Sequence, residues 1–263
     1  MRDMQPGGGL GLLEVRIDDK TFAGANGIPV TAVRGFGLTL EHDSMTALLG
    51  PSGCGKTTIL RIVAGLDQDF EGRVAWNTMP RIGFVFQEPR LLPWRTVRQN
   101  IDLTRSDDIA DHDIAELAAE VAITDILDRF PGELSLGMAR RVAIARAFAA
   151  APNVLLLDEP FVSLDEPSAR RMRQLLMRVW SARRIASLIV THNLREALEL
   201  ADRLVLLAPR PTKTVAEILL DVPRAERSER KIDELRAEIQ TQHPGFFGQQ
   251  QHSAEPSDQR ASS

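Results

Sequence analysis

The stretch GPSGCGKT, residues 50–57, places glycines, a lysine and a hydroxyl side chain in a spacing that suits phosphate binding. The glycines let the loop curl so that its backbone N–H groups face phosphate oxygens, and the following helix adds its positive end. Lys56 offers a point charge for the β- and γ-phosphates, and the Thr57 hydroxyl is placed to ligate Mg²⁺. An apolar strand pattern precedes the loop and a helical pattern follows it, which argues against a chance glycine-rich turn. We therefore predict a nucleotide phosphate site formed by Gly50, Pro51, Ser52, Gly53, Cys54, Gly55, Lys56, Thr57 and Thr58.

A second motif, VLLLDE at residues 154–159, ends in two acidic residues. A carboxylate at the end of a buried strand can reach a metal beside a phosphate loop, so Asp158 is the predicted metal ligand with Thr57. Glu159 is predicted to hold and polarise the water that attacks the γ-phosphorus. Adjacent acids also occur by chance at strand ends, but the phosphate loop upstream favours the functional interpretation. The second acid favours hydrolysis over phosphoryl transfer to another substrate.

Two further polar residues follow apolar strand patterns, Gln87 after RIGFVF and His192 after SLIVT. The Gln87 amide is predicted to contact Mg²⁺ or the attacking water, and a polar cap on a strand is the alternative. His192 is predicted to contact the γ-phosphate. Its alternative is the structural role that histidines at sheet edges more often have.

The elements that position these residues alternate between strand and helix patterns, which predicts a mainly parallel sheet covered on both faces. Short strands with a turn at 24–29 are expected between residues 12 and 33. Further strands are predicted at 45–50, 71–87, 153–159, 187–192 and 203–208, and helical patterns at 94–130, 138–150, 168–184 and 228–240.

The composition argues against several classes of protein. With 263 residues, 43% hydrophobic and 26% charged, the chain suits a globular protein with a full core. A net charge of −4 is not that of a general nucleic-acid binder. The single Cys54 excludes an intramolecular disulfide, and its place in a glycine-rich loop argues against a catalytic thiol. We expect neither a secretion signal nor a membrane span, so action at a membrane would require a partner.

Six motifs together resemble the ATP-binding subunits of ABC transporters in order and spacing: GPSGCGKTT, FQEP, ELSLGMARR, LLLDEPF, SLD and TH. The resemblance covers residues 12–220. It implies an α/β P-loop NTPase (RecA-like) core with a mainly parallel sheet, an antiparallel β-subdomain and an inserted α-helical subdomain at about 91–136. We expect a loose N-terminus at 1–10, the ATPase domain at 11–220 and a C-terminal extension at 221–263, with a short helix at about 228–240 and disorder beyond it.

The resemblance also implies that two copies pack head to tail, with ATP between the phosphate loop of one and the signature segment, residues 134–138, of the other. Ser135 and Gly137 would donate to the γ-phosphate of the neighbour's ATP, at the positive end of a helix. Leu136 and Met138 stand where the family usually has Gly and Gln. We expect an active ATPase whose dimer affinity is altered, with Leu136 tolerated if its φ is negative. Asp165, in SLD, would connect the two sites across the dimer.

Two aromatic residues have weaker parallels in the family. Phe22 resembles the residue that stacks on adenine, and a buried core position is the alternative. Trp94, with Leu91 and Leu92, lies in a lobe that receives a helix from the membrane subunit. Docking of the permease and ordinary packing within the lobe are equally open interpretations of Trp94.

The LLPW segment and the tail resemble importer subunits for nitrate, sulfonate, taurine and related solutes. This implies ATP and Mg²⁺ as cofactors, a second copy and permease subunits as partners, an indirect link to a solute-binding protein, and no nucleic acid. The expected place is the cytoplasmic face of the inner (plasma) membrane, peripheral through the permease. The alternatives are an exporter or lipid-trafficking subunit, a soluble ABC protein acting in DNA repair or translation, and a regulatory module that holds ATP without splitting it.

Overall fold

The structure, a computed structural model, describes residues 11–24, 27–183 and 185–247. Its strands are β1 Leu13–Ala23, β2 Pro29–Leu40, β3 Met45–Leu49, β4 Glu71–Trp76, β5 Ile82–Val85, β6 Val154–Asp158, β7 Ala186–Thr191, β8 Arg203–Leu207 and β9 Thr214–Leu219. Its α-helices are α1 Lys56–Val63, α2 Val97–Asp102, α3 Asp111–Glu120, α4 Leu136–Ala149, α5 Glu166–Ser181, α6 Leu194–Leu200 and α7 Glu229–Gln242.

The central sheet has the strand order β5-β6-β7-β3-β8-β9. Every pair is parallel except β8 with β9. The strands β3, β6 and β7 are buried along their whole length, as expected for apolar strands covered on both faces. Leu49 pairs with Thr191, and Asp158 pairs with Val190. The carboxyl ends of these three strands therefore meet at one edge of the sheet.

A separate antiparallel sheet has the order β2-β1-β4. Its strands are longer than predicted, because β1 and β2 together extend from Leu13 to Leu40 with a short connection. Alternate residues of β1 are buried, including Val15 and Ile17, and they belong to the hydrophobic cluster that also contains α1. This packing holds the sheet against the helix that follows the phosphate loop.

The first part of the segment between β5 and β6, residues 94–130, is less helical than predicted. The pattern at 94–130 forms two short helices, α2 and α3, and a 3₁₀ turn at Thr124–Ile126. The sequence TRSDD at 104–108 ends the first helix, since Ser and Asp side chains compete for backbone hydrogen bonds. Fully buried Asn100 ties the preceding loop to α2, because its amide nitrogen donates to the carbonyls of Leu92, Arg95 and Thr96.

The C-terminal part is more ordered than predicted. Ser228 caps α7, which buries Ile232 and Ile239 and extends two residues beyond the predicted end. The prediction of disorder from residue 241 is wrong as far as 247, because Phe246 is 8% exposed and belongs to the main core cluster. The predicted loose residues 1–10 and the rest of the tail, 248–263, lie outside the described residues. None of the described helices is long and apolar enough to cross a membrane.

Candidate active site

The phosphate loop connects β3 to α1 and depends on two glycines with positive φ, Gly53 at 74° and Gly55 at 123°. A Cβ atom at Gly55 would lie 2.5 Å from Thr212 Oγ1 and 3.0 Å from the carbonyl oxygen of Ala32. Glycine is therefore required there by both backbone conformation and space. Gly50 and Cys54 are buried in the loop, Pro51 and Thr58 are half-buried, and Ser52 is exposed.

Cys54 belongs to the core rather than to the reactive surface. Its side chain is 2% exposed, and burial raises the pKa of its thiol. A thiol held in the protonated form is a poor nucleophile, which agrees with a packing role in the loop.

Lys56 is the first residue of α1 and only 4% exposed. Its Nζ donates to the carbonyl oxygens of Gly50 at 2.8 Å and Pro51 at 2.9 Å. The same nitrogen lies 3.6 Å from Glu159 Oε1. The lysine charge is thus held inside the loop and beside Glu159, the residue that follows β6.

Thr57 and Asp158 form a pair of oxygen ligands. The Thr57 hydroxyl donates to Asp158 Oδ1 at 2.9 Å. Burial raises the pKa of Asp158, and the hydrogen bond from Thr57 opposes that shift. A hard cation would favour the ionised carboxylate in this buried place, and Mg²⁺ is typically held by one or two protein oxygens together with substrate phosphates. These residues fit a bound Mg²⁺. Among the described residues no group of three or more His, Cys, Asp or Glu is arranged to hold a metal, so such an ion would depend on the nucleotide.

Glu159 and His192 lie against each other at the same sheet edge. His192 Nδ1 is 3.2 Å from Glu159 Oε2, and the backbone N–H of Glu159 donates to the carbonyl of Val190 at 3.0 Å. The side-chain hydrogen bond lowers the pKa of Glu159 and raises the pKa of His192. Glu159 also has a positive φ of 43°, which is uncommon outside glycine and turns the chain sharply after β6. A strained acid between a lysine and a histidine is typical of a reactive site.

Gln87 lies farther from the sheet than predicted. The strand β5 ends at Val85, and Gln87 is an exposed residue in the following bend whose amide forms no hydrogen bond within the described part of the chain. The backbone beyond it is fixed by Arg146, whose guanidinium donates to the carbonyls of Pro89 at 2.7 Å and Arg90 at 2.8 Å. Arg146 was not predicted to have a role here, because an arginine within a helical pattern is usually exposed to solvent.

Phe22 is 41% exposed on β1, so the alternative of a buried core residue is wrong. Lys20 Nζ lies 4.6 Å from the centroid of its ring. Phe22 pairs with Val30 on β2. The same strand carries Ala32, whose carbonyl limits the space at Gly55. The ring is therefore an exposed aromatic surface on the sheet that adjoins the phosphate loop.

The signature segment begins a helix rather than preceding one. Ser135 is the N-cap of α4, and its Oγ accepts from the backbone N–H of Met138 at 3.3 Å. Leu136 is the first helical residue, does not have a positive φ, and is 45% exposed. Met138 packs against the main core cluster. Nothing lies within 4 Å of a Cβ built on Gly137, so this subunit alone has no steric need for glycine there.

Asp165 is exposed and is the N-cap of α5, where it accepts from the backbone N–H of Ser168 at 2.9 Å. That hydrogen bond lowers the pKa of Asp165. Ser135, Gly137 and Asp165 line one cavity, together with Arg141 and Arg171. No residue of the phosphate loop lines it. The predicted residues that the structure brings together therefore form two groups within one subunit. One contains Lys56, Thr57, Asp158, Glu159 and His192, and the other contains Ser135, Gly137 and Asp165.

The proposed docking segment is partly packed and partly exposed. Leu91 packs against the core cluster, whereas Trp94 is 71% exposed. Ordinary packing within the lobe is therefore the wrong interpretation of Trp94.

Comparisons with known proteins agree with this geometry. A family model described as ABC transporter matches residues 33–162. The aliphatic sulfonates import ATP-binding protein SsuB 1 of Pseudomonas syringae pv. syringae is 42% identical over 233 residues, covering 88% of this chain and 95% of the relative. SsuB of Bacillus licheniformis is 39% identical over 219 residues, covering 80% of this chain and 86% of the relative.

The structure is also similar to the dimeric ATP-binding cassette MJ0796, solved in a post-hydrolysis state with ADP and Pi. The TM-score is 0.69 at 25% identity, and the match covers 80% of this chain and 100% of that one. The predicted fold class and the predicted activity, ATP hydrolysis by an importer-type subunit, are confirmed by these comparisons. The chain belongs to the ABC transporter family of ATP-binding subunits.

Proposed function

We propose that this protein powers uptake of a small sulfonate-like solute by hydrolysing ATP in composite sites between two copies. One observation carries the composite site: the residues around Lys56 and those around Ser135 line separate places in a single subunit. In a head-to-tail pair each phosphate loop would face the partner's signature segment. The dimeric relative supports this arrangement.

Within each site the roles follow from position and charge. Backbone N–H groups of the phosphate loop and the first turn of α1 bind phosphate oxygens. Lys56 gives up its hydrogen bonds to the two loop carbonyls and binds the β- and γ-phosphates instead. Thr57 and Asp158 would hold Mg²⁺, with Gln87 as a further ligand or a contact to the water. When bound, Mg²⁺ offsets the charge that develops on the phosphate oxygens.

Glu159 is the residue that orients and polarises the attacking water. Its lowered pKa keeps it ionised at neutral pH, so it is always available to accept a hydrogen bond from that water. His192 holds the carboxylate from one side and Lys56 from the other. His192 would release Glu159 in part to contact the γ-phosphate, and Phe22 would stack on the adenine.

Across the dimer, Ser135 and the N–H of Gly137 would donate to the partner's γ-phosphate at the positive end of α4. Asp165, which starts α5 beside the same cavity, would contact the second subunit and relate the two sites.

The solute and the membrane partner are inferred from the relatives, which are aliphatic sulfonate import proteins. The exposed Trp94 gives the lobe an aromatic contact for a permease helix, which would hold the subunit at the cytoplasmic face of the membrane. A separate solute-binding protein would supply the solute.

The proposal is tested first at Glu159. Glu159→Gln should lower kcat for ATP hydrolysis by about 10²–10⁴-fold, because the amide cannot act as a base, while ATP binding stays within a few-fold. The ATP-loaded variant should also accumulate as a dimer, measured by light scattering after gel filtration. The exposed Glu238 offers a matched control, Glu238→Gln, which should behave as wild type. Normal turnover by Glu159→Gln would show that the base has been assigned to the wrong residue.

The solute is tested in vesicles that contain the subunit together with a membrane subunit that co-purifies with it. Aliphatic sulfonate, delivered by its binding protein, should stimulate ATP hydrolysis and accumulate inside. Stimulation by another solute class, with none by sulfonates, would contradict this part of the proposal.

A further inference from the structure

Arg140, in the second turn of α4, is a buried cation that is only partly paired. It is 5% exposed, and its Nη2 donates to the carbonyl oxygen of Val162. Its Nε and Nη1 are buried without a hydrogen-bond partner among the described residues. Leaving buried donors unpaired is unfavourable, and more so for charged groups. A group of this kind therefore calls for a functional or conformational explanation.

The carbonyl that Arg140 binds belongs to the turn between Glu159 and Asp165. Inside this turn the N–H of Val162 donates to the carbonyl of Glu159 at 3.2 Å. Two of its residues have positive φ without being glycine, Glu159 at 43° and Ser163 at 63°. Such a turn persists only when its surroundings hold it in place. Arg140 provides this support from the helix that Ser135 caps.

Besides this hydrogen bond, Arg140 has an electrostatic interaction with one acid, with which it forms no hydrogen bond or ion pair in the described residues. Burial lowers the pKa of Arg140, and the nearby carboxylate of Glu196 on α6 acts in the opposite direction. Glu196 is itself 8% exposed and accepts from the Thr191 hydroxyl at 2.7 Å, one residue before His192. Arg140 therefore lies among three segments: the signature helix, the turn that carries Glu159 and Asp165, and the helix that follows His192.

We propose that Arg140 is a positioning residue that transmits contact between Ser135 and the partner's nucleotide to the turn holding Glu159 and Asp165. This inference rests on the proposed composite site. When the phosphate contact draws the start of α4 towards the partner, Arg140 moves with it and carries the Val162 carbonyl. Its free nitrogens pair with Glu196 in the new position, because charge-assisted bonds from a guanidinium to a carboxylate are strong. The side chain that is incompletely paired in the free subunit thus becomes fully paired in the hydrolysing one.

The experiment compares Arg140→Met with Arg140→Lys and Glu196→Gln in the full-length protein. Arg140→Met removes the charge and keeps much of the volume. We expect its kcat to fall about tenfold or more, equal to 1.4 kcal/mol of transition-state stabilisation per tenfold. The affinity of the single subunit for ATP should remain within about twofold, since the phosphate loop is unchanged.

Arg140→Lys should recover part of the lost kcat, because the ammonium can still donate to the Val162 carbonyl. Glu196→Gln should lower kcat by a smaller factor. The double variant should be no slower than Arg140→Met, since residues that act as one unit are not additive. Arg178 is exposed on α5, and Arg178→Met serves as the control for loss of an arginine.

Three results would overturn the inference: wild-type kcat in Arg140→Met, a parallel loss of ATP affinity and kcat, or additive effects in the double variant. If Arg140→Met does not fold, Glu196→Gln alone decides, because wild-type kcat there would exclude the link. Glu159→Gln is measured beside them. If it is inactive while Arg140→Met is normal, only the role of Arg140 is wrong. If Glu159→Gln turns over normally, the proposed catalytic assignment is wrong.

Discussion

The phosphate-loop side of this subunit, around Lys56, and the signature side, around Ser135, differ in one respect. They differ in how many of their polar groups find partners within the same chain. Around Lys56, the carbonyls of the loop and the pairs Thr57–Asp158 and Glu159–His192 satisfy one another within one chain. Around Ser135, the side chains of Leu136 and Asp165 are exposed, and Gly137 has open space before it. The first side is preorganised to bind phosphate, whereas the second is an exposed surface. This contrast indicates that the second side acts on something outside its own subunit.

The sharpest test of this contrast mixes two inactive variants, Lys56→Ala and Ser135→Ala. Each alone should lose nearly all ATP hydrolysis, because every composite site in its homodimer contains the defect. In an equal mixture, half of the dimers carry one intact site, so roughly a quarter of wild-type sites should be restored. The measurement is ATP turnover of the mixture against that of each variant alone.

Recovery in the mixture requires that Lys56 and Ser135 of one site come from different chains. If both residues served a site within one chain, mixing would restore nothing, and the composite site would be excluded. A mixture of wild type with inactive Lys56→Ala calibrates how much activity a dimer with one intact site retains.

A smaller effect is expected from a matched pair of glycine substitutions, one on each side. Gly55→Ala should destabilise the subunit by about 1–3 kcal/mol and abolish ATP binding, because the side chain meets Thr212 and the backbone has positive φ. Gly137→Ala should leave the isolated subunit as stable or up to about 1 kcal/mol more stable, since alanine favours a helix. It should nevertheless reduce turnover, because in the proposed composite site the added methyl would face the partner's phosphate.

Denaturant unfolding and ATP titration of the single subunits measure both variants. Equal destabilisation by the two substitutions would remove the distinction between the sides. Normal turnover in Gly137→Ala would mean that no partner approaches that glycine closely.

The phosphate-loop side was also the part that sequence reasoning predicted best. Its residues are contiguous, and their function follows from local spacing: the loop at 50–57 with the pair Asp158 and Glu159 at a strand end. Parallel strands then bring these pieces together without further information. The signature segment was recognisable only through its resemblance to a family, since a serine and a glycine before a helix have no distinctive chemistry of their own.

Residues whose role depends on burial were not predictable in the same way. Arg140 and Arg146 look like ordinary helix residues in the sequence, and only packing against the turn at 159–164 and the loop after Gln87 makes them buried cations. Phe246 follows a polar helix and precedes a glutamine-rich tail, so local composition predicted disorder, yet it packs in the core. Trp94 shows the converse, because an aromatic residue that could belong to a core is 71% exposed.

The smallest expected effect is on the pH dependence of the free energy of unfolding, measured without nucleotide and metal. The comparison is between Glu159 on the phosphate-loop side and Asp165 on the signature side. The contact between Glu159 and His192 lowers the pKa of the acid and raises the pKa of the histidine. Its stabilisation is therefore complete only where Glu159 is ionised and His192 is protonated. It decreases as pH rises through the raised pKa of His192, and as pH falls through the lowered pKa of Glu159. Lys56 and Glu196 also act on this pair, but both remain in His192→Ala, so the difference from wild type isolates the contact.

The free energy of unfolding of wild type should exceed that of His192→Ala most between about pH 4.5 and 6.5, and the gap should narrow above neutral pH. Because the His192 side chain is 48% exposed, solvent screening limits the effect to less than about 1 kcal/mol. On the signature side, Asp165 has a lowered pKa because it caps α5, so its contribution decreases only as pH falls through that value. The gap between wild type and Asp165→Asn should accordingly stay constant from pH 5 to 8. A His192→Ala gap that is equally flat over this range would show that the histidine and Glu159 do not interact in the free subunit, and that the phosphate-loop side is less preorganised than its contacts indicate.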